Sequence, residues 1–513
     1  RRNFLAAGGA LAAWPLLASP ADAVVRRQAK LKDYPFKLGV CSGDPAPDGF
    51  VLWTRLAPEP LTGGGMPADN VEVAWQVARD EQMSQVAASG TAVASPDLAH
   101  AVHVEVSGLE PDRQYYYRFT AAGEASPIGR ARTAPPADSL PKRLRLAFAS
   151  CQHYEQGYYT AYEHMAREDL DLIIHLGDYI YEYEAKSKGV RRHAGPECVT
   201  LDQYRTRHAQ YKTDAHLQAA HAQCPWIVTW DDHEVENNWA GVSAQKPDLT
   251  PEQFLERRAA AFKAYYEHMP LRKAQMPQGP DAQLYRRIDF GRLAGFAMLD
   301  TRQYRTDQPC GDGHKPACDD VYDPRATLLG EAQEKWLYAA LAASQTRWNV
   351  LAQQVMMARV DRTPGEAVVY SMDQWPGYEA NRQRVLKFLA EGRVANPVVL
   401  TGDIHSNWVN DLQVDSADRK SPIVGTEFVG TSISTGGDLG DGGKHPPDPA
   451  DVKAENPFVK FYNMERGYVA CEITPERWTS HYRSVPYITR PGAPLVNRAS
   501  FVVLDGERGA QSG

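Results

Sequence analysis

Residues 34–134 alternate apolar and polar positions in short runs, the pattern of strands that bury one face. Turn residues separate these runs at the spacing that is typical of a β-sandwich. The predicted strands are Phe36–Ser42, Phe50–Arg55, Val71–Arg79, His100–Val106 and Tyr115–Ala121. We therefore predict a β-sandwich domain over residues 34–134, followed by a stiff Pro-containing boundary. Because this segment holds no cluster of His, Cys and carboxylates, we expect it to be an accessory domain.

From residue 142 the pattern changes to near-continuous apolar runs that alternate with helical periodicity. Such runs are typical of strands buried on both faces. The predicted strands are Arg143–Ser150, Asp171–Leu176, Trp226–Trp230, Asn349–Val355 and Pro397–Thr401. A capping box at Thr250 predicts a helix to Met269, and apolar repeats predict helices over Ala332–Ala343 and Glu379–Glu391. This alternation predicts a layered α/β domain over residues 142–506 with mixed central sheets.

The composition is globular, with 43% hydrophobic and 23% charged residues in a chain of 513. These fractions exclude a disordered chain, a collagen-like fibre and a small disulfide scaffold. The 64 acidic residues outnumber the 56 Lys and Arg, which gives a formal net charge of −8. Since proteins that bind phosphate backbones are normally basic, we expect no nucleic acid as a specific partner.

The N-terminus has the features of an export signal. Arg1-Arg2 is followed by a short apolar run to Leu17 and by the small-residue site Ala21-Asp22-Ala23. The paired arginines resemble a twin-arginine signal, the type that exports folded proteins; a chance basic start is the alternative. We predict that residues 1–23 are this signal, that the twin-arginine export machinery is a partner, and that the protein is periplasmic or extracellular. No segment is apolar for long enough to predict stable membrane insertion.

Seven cysteines are an odd number, so at least one thiol cannot pair within a monomer. An oxidising compartment permits disulfides. Cys310 and Cys318 flank a loop with Gly and Pro and are the best predicted pair, while Cys198 and Cys224 bracket a predicted helical stretch and are a second candidate pair. The remaining cysteines are expected outside disulfides: Cys41, Cys151 and Cys471.

Side chains able to bind metal follow four of the predicted buried strands. They are Cys151, Asp178 with Tyr181, Asp232 with His233, and Asp403 with His405. In open α/β sheets the carboxyl ends of the strands converge on one edge, where ligands bind. A single Asp after a strand is most often a turn residue, but four such groups in one domain predict a metal site. The segment 431–449, rich in Gly and Pro, is predicted to be a surface loop near this edge.

Several motifs at these strand ends resemble a known family. Gly177-Asp178-Tyr179-Ile180-Tyr181 matches the G-D-x-x-Y element of calcineurin-like metallophosphoesterases related to purple acid phosphatases. Asp231-Asp232-His233-Glu234 stands in place of their G-N-H-[DE], and Gly402-Asp403-Ile404-His405 in place of G-H-x-H. With Ser150-Cys151 in place of D-x-H, these departures resemble the alkaline phosphatase D (PhoD) family over nearly the whole mature chain. The segment Leu109–Tyr115 resembles the tyrosine corner of fibronectin type III domains.

The resemblance implies two kinds of metal ion. For ferric iron (Fe3+) it implies thiolate, carboxylate, phenolate and imidazole ligands: Cys151, Asp178, Tyr181 and His405. For one or two calcium ions (Ca2+) it implies oxygen ligands: Asp178, Asp232, Asp403 and Asn237, with Asp231 and Glu234 as further candidates. Hard oxygen ligands without imidazole favour Ca²⁺ over Zn²⁺ or Cu²⁺, which agrees with this implication.

The resemblance further implies an exported alkaline phosphatase that hydrolyses phosphomonoesters, and also phosphodiesters, by attack of a metal-activated hydroxide. His233, beside Asp231, is the candidate general acid, and a structural role in the ligand loop is the alternative. Arg302 is a candidate to bind phosphate or to form a structural salt bridge, and His153 to line the pocket or to lie at the surface.

Two alternative functions remain open from the sequence. One is a phosphodiesterase or phospholipase D-like enzyme of the same fold, because the same metals serve both kinds of ester bond. The other is a secreted binding protein with a degenerate enzyme domain. The retained set of metal-binding side chains argues against the second alternative, since a degenerate site need keep none of them.

Overall fold

The computed structural model describes residues 25–26, 31–361, 368–391, 394–416, 418, 420–439 and 448–513. The predicted export signal at residues 1–23 lies outside the described residues, as does the middle of the predicted loop 431–449. Within the described part of the chain, no helix combines the length and the apolar character needed to cross a membrane.

Strands dominate the secondary structure. Those of the N-terminal segment are β1 (Val25–Arg26), β2 (Val40–Ala46), β3 (Gly49–Arg55), β4 (Asn70–Ala78), β5 (Val86–Ala94), β6 (Ala101–Val106), β7 (Gln114–Ala121), β8 (Glu124–Ala125) and β9 (Gly129–Arg132). Those that follow are β10 (Leu144–Ala149), β11 (Leu172–Leu176), β12 (Trp226–Thr229), β13 (Arg286–Phe290), β14 (Ala294–Met298), β15 (His314–Lys315), β16 (Trp348–Ala352), β17 (Tyr370–Ser371), β18 (Pro397–Thr401), β19 (Asn407–Gln413), β20 (Ile423–Val429), β21 (Val459–Asn463), β22 (Arg466–Ile473), β23 (Arg477–Val485), β24 (Val496–Leu504) and β25 (Gln511–Ser512).

The helices lie mainly between the strands of the second segment. They are α1 (Thr160–Met165), α2 (Leu201–Lys212), α3 (Ala215–Gln223), α4 (Pro251–His268), α5 (Gly330–Ala342), α6 (Glu379–Ala390) and α7 (Pro449–Glu455). The predicted capping box at Thr250 is confirmed, since the Thr250 side chain accepts from the backbone of Gln253 and the Gln253 side chain accepts in return.

Two mixed sheets face each other across the central core. The first has the order β25-β24-β23-β22-β10-β11-β12-β2-β3-β6, and the second β13-β14-β16-β18-β20-β19-β21. In β11 the side chains of Leu172 and Ile174 enter the core between the sheets, whereas Ile173 faces helices α1 to α4. Helices α5 and α6 cover the outer face of the second sheet. The predicted layered α/β fold is confirmed.

The N-terminal segment forms a sandwich that shares a sheet with the rest of the molecule. Strands β1, β4, β5, β7, β8 and β9 form one layer. The opposite layer is β2, β3 and β6, and β2 pairs in parallel with β12 through Gly43 and Trp226. The predicted first strand, Phe36–Ser42, begins too early, because a turn at Gly39 (φ +73°) places Phe36 in the core before the strand starts at Val40.

One of the two predicted disulfides is present. Cys310 and Cys318 are joined, with their Cα atoms 5.9 Å apart, which confirms the first prediction. The second prediction is wrong, because Cys198 and Cys224 are both free and buried. Helix α2, which follows Cys198, packs against α4, whereas α3, which precedes Cys224, packs against α1 and β2. Five cysteines rather than three therefore lie outside disulfides: Cys41, Cys151, Cys198, Cys224 and Cys471.

The tyrosine corner of the sandwich offers a test of local stability. The Tyr115 hydroxyl accepts a hydrogen bond from the Glu110 N–H at 3.0 Å. We expect Tyr115→Phe to lower the free energy of unfolding by about 1 kcal/mol, because it removes this acceptor. Tyr116→Phe is the control, since the Tyr116 hydroxyl accepts from the exposed Gln114 side chain rather than from the backbone. Denaturant titration measures both, and equal losses would contradict the assignment.

Candidate metal centre

Four of the candidate ligands adopt a left-handed backbone just past the end of a strand. The φ angle is +59° at Cys151, +56° at Asp178, +59° at Asp403 and +55° at His405. Residues other than Gly rarely adopt such angles, and they cluster at functional sites. Gly177, between β11 and Asp178, has no room for a side chain, since a Cβ there would lie 2.4 Å from that of Asp231.

The first group of ligands brings four different chemistries together. Potential ligand atoms of Cys151, Asp178 and His405 all lie within 4.8 Å of one another. The Tyr181 hydroxyl donates to Asp178 Oδ2 at 2.8 Å and lies 3.4 Å from His405 Nε2. A thiol, a carboxylate, an imidazole and a phenol therefore converge from both sheets on one point.

The second group shares Asp178 with the first. Ligand atoms of Asp178, Asp232 and His233 lie within 4.8 Å of one another. Asp403 lies close to Asp232, as their distances to one shared atom show. Arg302 Nη2 lies 3.8 Å from Asp232 Oδ1 and 3.7 Å from Asp403 Oδ1. A buried cationic nitrogen thus already lies between these two carboxylates.

Arg302 is fully buried among carboxylates. Its Nε donates to Asp231 Oδ1 at 2.5 Å, and its Nη1 donates to Asp373 Oδ2 at 2.8 Å. Arg305 also binds Asp373. Of the two roles considered for Arg302, these contacts favour the structural salt bridge. Asp231, named as a candidate catalytic residue, holds this guanidinium through one oxygen, while its Oδ2 has no hydrogen-bond partner among the residues that the structure describes.

Asp178 and Asp403 lack enough positive charge in their surroundings, whereas Asp232 has it. Burial, and then the charge of Asp232, raises the pKa of Asp178 well above its usual range. Burial also raises the pKa of Asp403, although Arg302 opposes it. Burial disfavours ionisation of Asp232 as well, but Arg302 and His233 outweigh it and lower its pKa. Such a set fits bound cations, which would favour the ionised form of each carboxylate.

The surroundings of the Cys151 thiol and the Tyr181 phenol favour their protonated forms in the metal-free chain. Burial, and then Asp178, raises the pKa of both the Cys151 thiol and the Tyr181 phenol well above their usual ranges. Both groups must lose a proton to bind a metal ion. The donor set therefore fits a strongly Lewis-acidic cation, which makes that loss favourable.

His233 is held by a carboxylate that the sequence analysis missed. Its Nδ1 lies 2.8 Å from Glu182 Oε2, and both side chains are buried. Burial opposes the protonated form of His233, but Asp232 and Glu182 outweigh it and raise its pKa well above the usual range. The hydrogen bond to Glu182 fixes the His233 ring through Nδ1. The other ring nitrogen, Nε2, has no hydrogen-bond partner within the described segments.

The Tyr181 ring lies between two histidines, with its centroid 4.1 Å from that of His233 and 4.4 Å from that of His153. His153 is buried rather than at the surface. Its Nδ1 accepts from the Glu155 N–H at 3.3 Å, and its buried Nε2 has no hydrogen-bond partner in the described part of the chain. His153 thus presents an unsatisfied N–H beside the proposed ligands.

A cavity of about 870 Å³ has Glu182, the carboxylate that binds His233, in its wall. Asn237 lies in its wall, and the Asn237 N–H donates to Glu182 Oε1 at 2.9 Å. The charged side chains of the wall include both signs: Glu182, Glu184, Glu197, Glu236, Lys186, Lys188 and Lys246.

Two further residues that orient the site were not predicted. Asp373 binds Arg302 and Arg305, and the Gln374 side chain donates to Asp403 Oδ2 at 2.7 Å. Neither residue belongs to a motif, and only the fold brings them to the strand ends. Glu182 directly follows Tyr181, so its place beside the G-D-x-x-Y element was an available signal.

Two facing sheets with metal-binding side chains at their strand ends are the arrangement expected of a metallophosphoesterase. A family model described as PhoD-like phosphatase matches residues 146–482, and the model of its N-terminal domain matches residues 20–135. The chain belongs to the PhoD-like phosphatase family, which confirms the resemblance noted in the sequence.

Relatives agree with this family. The chain is 50% identical to alkaline phosphatase D of Bacillus subtilis (strain 168), over 99% of this chain and 88% of the relative. It is 24% identical to purple acid phosphatase 23 of Arabidopsis thaliana, over 38% of this chain and 40% of the relative. A solved structure of PhoD superposes with a TM-score of 0.90 at 50% identity, covering 94% of this chain and 93% of that one. The chain is therefore a metal-dependent phosphatase.

The raised pKa values predict how pH affects the metal-depleted protein. Burial raises the pKa of Glu234 from 4.5 to about 7. The folded state then binds a proton more tightly than the unfolded state, so stability falls as the pH rises from 4.5 to 7. We expect a loss on the order of 3 kcal/mol from this group. Denaturant titration with and without chelator measures it. Identical pH dependence in both forms would contradict the prediction, because bound cations favour the ionised site.

Proposed function

We propose that this protein is an exported phosphatase that hydrolyses phosphomonoesters and phosphodiesters with iron and calcium as its metal ions. The observation that carries the proposal is that two groups of potential ligands share Asp178. A shared carboxylate is what a two-metal site requires. We assign catalysis to residues 142–506, because every proposed ligand lies there.

We assign ferric iron to the first group and calcium to the second. The convergence of Cys151, Tyr181 and His405 on Asp178 supports iron, since these donors together suit a high-valent cation. The carboxylates of Asp232 and Asp403, which flank Arg302 Nη2, support a hard cation on oxygen ligands. When bound, the two ions supply Lewis acidity to water and to the phosphoryl oxygens.

The chain's own residues supply proton transfer and positioning. We propose that His233 Nε2 donates a proton to the leaving alkoxide, with Glu182 fixing the ring through Nδ1. His153 offers its buried, unsatisfied Nε2–H to a substrate oxygen. Lys186 and Lys188 in the cavity wall are the cations we propose to contact an anionic ester, since Lys246 is paired with Glu197. Asp231 acts through Arg302, which it holds in place.

We propose export through the twin-arginine machinery, supported by the paired arginines of residues 1–23 and by the chemistry of Cys151. An unpaired thiol is vulnerable in an oxidising compartment. Export of the folded protein would allow Cys151 to bind iron before it meets an oxidant.

The proposal is tested by rates and metal content together. Hydrolysis of p-nitrophenyl phosphate is compared with that of bis-p-nitrophenyl phosphate, and iron and calcium are measured by elemental analysis. We expect turnover of both esters and stoichiometric iron. A protein that cleaves only the diester would instead be a phosphodiesterase, and one with zinc in place of both metals would contradict the metal assignment.

The shared carboxylate makes one residue essential to both metals. We expect Asp178→Asn to lose iron and calcium together and to lower kcat by more than about 100-fold, since even outer-shell changes commonly cost 10- to 100-fold. Asp202→Asn is the control, because the Asp202 side chain is 92% exposed and should be neutral to activity. Normal metal content in Asp178→Asn would refute the bridging role.

The Glu182–His233 pair predicts a dependence on the leaving group. We expect Glu182→Gln to slow hydrolysis of an alkyl phosphate by about 100-fold, because a poor leaving group needs the proton. Hydrolysis of p-nitrophenyl phosphate should change much less. The exposed Glu184 lies in the same cavity wall, so Glu184→Gln is the matched control. Equal losses on the two esters would favour a structural role for His233.

A further inference from the structure

Residues 310–318, closed by the Cys310–Cys318 disulfide and called here the disulfide loop, have no part in the proposed chemistry. The loop lies at the outside of the site, yet it contacts the two segments that orient Asp232 and Asp403. The first contact is made by Asn238, which itself donates to Asp232. The second is made by residues 370–372, which directly precede Asp373 and Gln374, and Gln374 donates to Asp403.

The first contact passes through Asn238. Its backbone N–H donates to Asp232 Oδ2 at 2.7 Å, from a left-handed conformation with φ at +51°. Its side-chain amide donates to both oxygens of Asp312 in the disulfide loop, at 3.0 and 2.9 Å. Gln308, just before the loop, donates to the Asn238 carbonyl at 2.7 Å. Asn tolerates this left-handed conformation better than most residues, and these bonds hold Asn238 in it.

The second contact passes through Gln374. In the disulfide loop, Gly313 accepts from the Met372 N–H at 2.9 Å, and β15 pairs with β17 in an antiparallel arrangement. This pairing ends directly before Asp373 and Gln374. Gln374 then donates to Asp403 Oδ2 at 2.7 Å. The second carboxylate is thus oriented from the same loop.

The disulfide is what keeps this short loop in one conformation. Gly311 and Gly313 have φ angles of +73° and +96°, so the backbone between the cysteines is intrinsically permissive. A cross-link removes much of that freedom from the alternative states of the loop. Lys315 Nζ adds a bond to the Cys310 carbonyl at 3.1 Å.

We infer that the disulfide loop is a brace for the second metal site, in which Asp312 is a positioning residue that orients Asp232 through Asn238 while the β15–β17 pairing orients Asp403 through Gln374. The inference rests on the proposed function, since it takes Asp232 and Asp403 as calcium ligands. Partners that orient metal ligands commonly change metal affinity by about 10- to 100-fold. None of these contacts reaches Cys151, Tyr181 or His405, so iron should be held independently.

The test measures calcium retention by the holoenzyme. Wild-type protein and variants are dialysed against buffers of graded free Ca²⁺, and calcium per iron is read by elemental analysis. We expect Asp312→Ala to raise the free Ca²⁺ needed for half-occupancy by about tenfold or more while iron stays bound. The matched control is Asp319→Ala, which removes the same charge from an exposed position one residue beyond the loop.

Two further variants guard against a folding defect. Asn238→Gly keeps the backbone N–H and suits a left-handed residue, so it should reproduce the loss and should not add to that of Asp312→Ala. The double variant Cys310→Ser, Cys318→Ser should also lower the calcium affinity, and this loss should not add to that of Asp312→Ala. Wild-type calcium affinity in Asp312→Ala, or joint loss of iron and calcium, would overturn the brace.

The wild-type protein separates this inference from the proposed function. If the wild-type protein holds iron but no calcium, the metal assignment fails. The brace is then tested with Mn²⁺ in place of Ca²⁺, by comparing the free Mn²⁺ needed for half-occupancy in Asp312→Ala with that in wild type. If the wild-type protein holds calcium and Asp312→Ala needs the same free Ca²⁺ for half-occupancy, the metal assignment stands and the brace fails.

Discussion

Buried carboxylates at the ends of β11, β12 and β18 repel one another, and this repulsion governs the arrangement of the residues around them. Asp178 and Asp232 are almost without contact with water, whereas the Asp403 side chain is 18% exposed. Arg302 and His233 supply part of the neutralising charge. An uncompensated ion in the interior costs several kcal/mol, so the remaining imbalance is what makes this edge of the fold bind cations.

The site exists only where the two sheets meet. Cys151 and Asp178 follow strands of the first sheet, whereas Asp403 and His405 follow β18 of the second. The spacing between the two sheets is set by core side chains from both of them, such as Ile174 of the first and Val398 of the second. Metal binding and the packing of the central core are therefore thermodynamically linked, because ions that bind only the assembled state stabilise it.

Sequence patterns predict features that depend on neighbouring residues, such as the bounds of a strand. They fail for features that depend on the packing of distant segments, such as a disulfide pairing. The strand at Pro397–Thr401 was predicted to the residue, because a fully buried run has sharp ends. The pairing of Cys198 with Cys224 was wrong, since the packing of α2 and α3 on different partners is not encoded locally. Gln374 gave no signal at all, because its role comes only from lying opposite Asp403.

Sharing one sheet between the two segments imposes an order on synthesis. Strand β2 leaves the ribosome long before β12, its neighbour through Gly43 and Trp226. Until residue 226 has emerged, that edge of the nascent N-terminal layer presents unpaired N–H and C=O groups, a ready template for association with other chains. Severing the chain at residues 134–137 would expose the edge of β2 in one fragment and the edge of β12 in the other, so this sheet is complete only when both segments are present.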